Sequence, residues 1–150
     1  MVLFGRSELD ALVIFEPLVT RLVSEGHREI MRLDDVWRKE TGQPLVAIGI
    51  GAHEDWIKAN SATARKVFRT VVEAIATVQK NPKAVIEEHR EFLGAKTDQQ
   101  LARLVERMPP LYPATWDRQL TQNMALLLKR NVELGLLKEM PKDEIFVILE

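Results

Sequence analysis

A chain of 150 residues with a formal net charge of −1 is long enough for one domain with a real core. Its 46% hydrophobic and 29% charged residues are ordinary for a globular protein, and the near-neutral balance argues against nucleic acid as a partner. Without cysteine there is no disulfide framework, zinc-thiolate site or cysteine nucleophile, and no window approaches the ~20 apolar residues of a membrane span, so no membrane insertion is expected.

In chain order, MVLFGRSELD lacks the charged, apolar and small-residue regions of a signal peptide. Residues 10–15, DALVIF, read as a short buried strand, apolar and partly β-branched. Glu16 follows at the exit of that run. Pro17 sits where a helix places its first residue, apolar pairs recur at i, i+4 (Leu18/Leu22, Val19/Val23), and Gly26 suits the position just past a helix end. HREIMRL, 27–33, reads as a weaker strand, and 34–42 as one or two helical turns closed by Gly42. PLVAIGIGA, 44–52, is a further strand.

Beyond that point the pattern is helical. Ser61 opens a long helix whose apolar set (Ala64, Val67, Phe68, Val71, Val72, Ile75, Val78) follows a 3.6-residue period. Asn81-Pro82 ends it and starts a helix over 82–92 that Gly94 closes. Thr97-Asp98-Gln99-Gln100 is a capping-box pattern before a helix at about 98–108. MPPLYPATW is a proline-stiffened loop, a fourth helix spans about 115–137, and PKDEIFVILE is a tail with room for a last strand or helical turn.

Several chemical motifs fail on inspection. GIGAHE lacks the third glycine of a dinucleotide loop, since Glu54 stands there and would repel a phosphate. AHEDW is half of a zinc motif, with Ile57 in place of the second histidine; His53, Glu54 and Asp55 read as a polar first helical turn. No nucleophile elbow or paired-carboxylate arrangement stands out, so neither catalytic residues, metal nor cofactor are expected. Phe15-Glu16-Pro17 stays open between a helix start and a ligand site at the carboxyl end of a strand.

The stretch LDALVIFEPLVTRLVSEG resembles the pattern G-x-(V/L)-D-A-x-x-x-(W/F)-E-P-x-x-x-x-L-x-x-x-G of ABC-importer substrate-binding proteins, in the branch serving nitrate, taurine and other sulfonates, and thiamine-pyrimidine precursors. The likeness continues through PLVAIGIGAHEDWIKANSATARKVFRTVVEAIATVQKNPKAVIEEHREFLG and the closing LGLLKEMPKDEIF, 134–146. It implies an α/β architecture, the C-terminal portion of a type II periplasmic-binding-protein-like fold, helix-rich with two or three short strands. Residues 9–43 would end the second lobe, and 44–150 would be the return strand and C-terminal helices of the first. The chain corresponds to about half of a member, a fragment or truncated form. Phe15 stands where Trp is common; Glu16 and Pro17 match.

The function this resemblance implies is non-enzymatic solute binding for an ABC importer, periplasmic or lipoprotein-anchored, with a small organic or anionic solute and an ABC permease as partners. A cytoplasmic location stays open. The alternatives are a stand-alone helical interaction module that has lost its ligand, or a pyrimidine-precursor synthase-like enzyme. The ligand-binding residues would be Phe15, Glu16, Pro17, Gly51, Ala52 and His53, the last three by position at a strand end. Strand edges at Ala11–Phe15 and Val46–Ile50 would lack neighbours, which points to a homodimer or a swapped arrangement.

Overall fold

The computed structural model describes residues 2–46, 48–113, 115–141, 145, 146 and 149. Among these the chain forms eight α-helices and one short 3-10 helix, and no strand. In order the helices are α1 (Val2–Gly5), α2 (Leu18–Ser24), α3 (Leu33–Thr41), α4 (Glu54–Ala59), α5 (Ser61–Lys80), α6 (Pro82–Glu88), α7 (Asp98–Arg107), the 3-10 helix Pro109–Leu111, and α8 (Arg118–Glu133). The expectation of an α/β fold with two or three short strands is therefore overturned. Among the described residues the apolar runs at 10–15 and 44–52 lie in no helix, and a strand exists only as half of a ladder. No other described segment offers them one. Residues 9–14 make no backbone hydrogen bond to any described residue.

The chain divides into two compact units. The first comprises Met1–Ile30 and Asn81–Leu111, and the second Met31–Lys80 and Tyr112–Glu150. The first unit is organised by α7. Its apolar stripe, Leu101, Leu104, Val105 and Met108, falls at helical spacing and packs with Ile86 of α6, Leu93 and Ala95; Leu104 is 1% exposed. A complete capping box starts this helix. The Thr97 hydroxyl accepts from Gln100 N at 3.2 Å, and Gln100 Oε1 accepts from the backbone N–H of Thr97 and of Lys96. The helix α2 also packs on α7. Its end is a Schellman motif: Gly26 (φ 95°) and His27 donate their backbone N–H groups to Val23 and Leu22 carbonyls, a turn that needs the left-handed backbone glycine allows. Helix α6 stops at Glu88 rather than at 92, and a hydrogen-bonded turn carries the chain on to Gly94.

In the second unit, α5 keeps the span read from its period, with Ala64 buried and Phe68 meeting Trp116 edge-to-face at 5.5 Å. The Gln79 amide donates to the carbonyls of Tyr112 and Pro113, tying the end of α5 to the loop before α8. Asp117 caps α8 through Leu120 N, and Leu120 and Asn123 are its buried residues. Helix α4 begins after His53 with Glu54 and Asp55 in its first turn, and a Glu54–Lys58 ion pair spans its length. The proline-rich loop does contain the 3-10 helix Pro109–Leu111, short enough to accommodate two prolines at its start. The last strand or turn expected in PKDEIFVILE falls mostly outside the described residues.

Candidate functional site

The first unit contains a carboxylate–guanidinium–carboxylate cluster with Glu16 at its base. Residues 15–18 form a turn in which Phe15 O accepts from Leu18 N at 3.1 Å; the Glu16–Pro17 peptide is cis. The turn sends adjacent side chains in opposite directions. Glu16 is 4% exposed at its side chain, whereas Phe15 is 70% exposed. Glu16 Oε2 accepts from Thr20 N at 3.1 Å, satisfying an N–H in the first turn of α2 that has no partner within the helix. A carboxylate there also meets the positive end of the helix dipole.

Glu16 Oε1 accepts from Arg107 Nε at 2.5 Å, and the rest of that guanidinium is taken by Glu29, with Nη1 donating to Oε2 at 2.8 Å and Nη2 to Oε1 at 2.7 Å. Arg107 closes α7, where a cation suits the carbonyl end of the helix. The planar fork of arginine fits this two-carboxylate geometry as lysine could not. One side chain at the end of α7 thus fastens both the turn before α2 and Glu29 in the segment after it. The hydrogen bonds to Glu29, then those to Glu16, hold the guanidinium pKa above its ordinary value, against an opposing desolvation. Thr20, 1% exposed, has a hydroxyl with no hydrogen-bond partner among the described residues.

Among the expected ligand residues, Phe15, Glu16 and Pro17 are consecutive in the first unit. Gly51, Ala52 and His53 are exposed and belong to the second. Both oxygens of Glu16 are engaged within the chain, by Thr20 N and by Arg107 Nε. No direct sequence signal marks Arg107 or Glu29; Arg107 lies 91 positions from Glu16 and 78 from Glu29. An open depression lined by Glu88, Arg90, Glu91, Gly94, Ala95 and Lys96 includes none of the expected ligand residues. Among the described residues no group of His, Asp and Glu is placed to hold a metal ion, and no helix is long and apolar enough to cross a membrane.

Comparisons with family models, curated proteins and solved structures return no match to this chain.

Proposed function

We propose that the chain serves solute binding for an ABC importer, with Phe15 as the residue that meets the solute and Glu16 as the residue that holds Phe15 in place. One observation carries the assignment of roles: the opposed directions of these neighbours, one aromatic ring open to solvent and one carboxylate with both oxygens engaged. The D-A-x-x-x-F-E-P pattern at Asp10–Pro17 supports the functional class. In this reading Glu16 does not touch the solute. Its two oxygens are engaged by Thr20 and Arg107, and withdrawing it would remove one of the two carboxylates that hold the half-buried guanidinium. Phe15 supplies apolar and π-face contact, which orients a ligand without adding charge.

The partners are the solute, an ABC permease and, for an exported protein, an extracytoplasmic setting. A second reading, a helical interaction module without a ligand, is favoured by the exposed apolar residues Val13, Ile30, Ile48 and Ile50. Two tests separate them. The gene of an importer component adjoins permease and ATPase genes; a locus without them favours the module. Calorimetry on the protein purified from its own cells, with an alkanesulfonate, nitrate, a hydroxymethylpyrimidine and an aromatic acid as probes, gives saturable heat for the importer reading and none for the module.

A further inference from the structure

We draw no further inference here: the strongest candidate, the exposed apolar surface patch that Leu33 and Val36 make on α3 between its acidic first turn and its basic last turn, carries nothing, because the helix dipole already accounts for that order of charges and nothing in the structure shows what covers the patch.

Discussion

Replacing Arg107 with methionine keeps a flexible chain at the end of α7 and removes the cation that both carboxylates hold. The consequences for the two partners differ. Glu29 is 26% exposed at its side chain and regains water; Glu16, at 4%, keeps one donor, Thr20 N, and loses its counter-charge. Removing one partner from a buried pair costs ~3–5 kcal/mol, and the partial exposure of Arg107 (17%) and Glu29 puts this cluster at the low end, about 3 kcal/mol. For a small domain of ~5–15 kcal/mol total stability that is a large share. Glu16→Gln should cost less, about 1–2 kcal/mol, because the amide oxygen still accepts from Thr20. The double variant should fall short of the sum by more than about 1 kcal/mol. All three tryptophans and the one tyrosine lie in the other unit, so fluorescence would miss the transition. Urea unfolding followed by far-UV circular dichroism, with amide exchange in α2 and α7, reads it. Additive effects, or an R107M variant within about 0.5 kcal/mol of wild type, would refute a coupled clamp.

Thr20→Val removes a buried hydroxyl that has no partner and keeps the branched shape, so it should leave stability unchanged or raise it by about 1 kcal/mol in the same unfolding assay. Thr97→Ala breaks the capping box of α7 and should cost about 1 kcal/mol, with faster exchange in that helix's first turn. Leu104→Ala opens a cavity at the most buried core position and should cost ~3–4 kcal/mol, enough to lower the thermal midpoint visibly. The Glu54 carboxyl is held below the usual carboxylate range by its hydrogen bond and charge pairing with Lys58, so its small contribution is present above the unfolded pKa and lost as pH falls through the folded one. An NMR titration should find its midpoint returned to the ordinary value in a Lys58→Met variant. The raised pKa of Arg107 acts at the other end of the scale: its contribution is lost only as pH rises through a strongly alkaline value, so the guanidinium is no switch near neutrality.

Helices were legible wherever their signals were local. The 3.6-residue period of α5, the capping box at Thr97 and the positive-φ glycines 26, 42 and 94 lie within a few residues of what they control. The apolar runs at 10–15 and 44–52 read as strands and are not, because pairing depends on another segment and β-branched composition cannot create one. Glu16 stood out as a carboxylate in the wrong company, and its turn position was visible from Pro17. Arg107 was not visible: an arginine at the end of a charged, amphipathic helix looks like any solvated residue until the fold brings Glu16 and Glu29 to it. The engagement of Glu16 by Arg107 is a long-range contact that no spacing rule contains.

The division of labour between Phe15 and Glu16 is tested most directly by thermal-shift measurement on the native-source protein and its F15A and E16Q variants, with the alkanesulfonate, nitrate, hydroxymethylpyrimidine and aromatic-acid probes. The account predicts that at least one probe raises the wild-type midpoint. It predicts that F15A keeps the unliganded midpoint and loses the shift, and that E16Q lowers the unliganded midpoint and keeps it. A panel without any shift, or an E16Q variant that loses the shift at an unchanged midpoint, would contradict it.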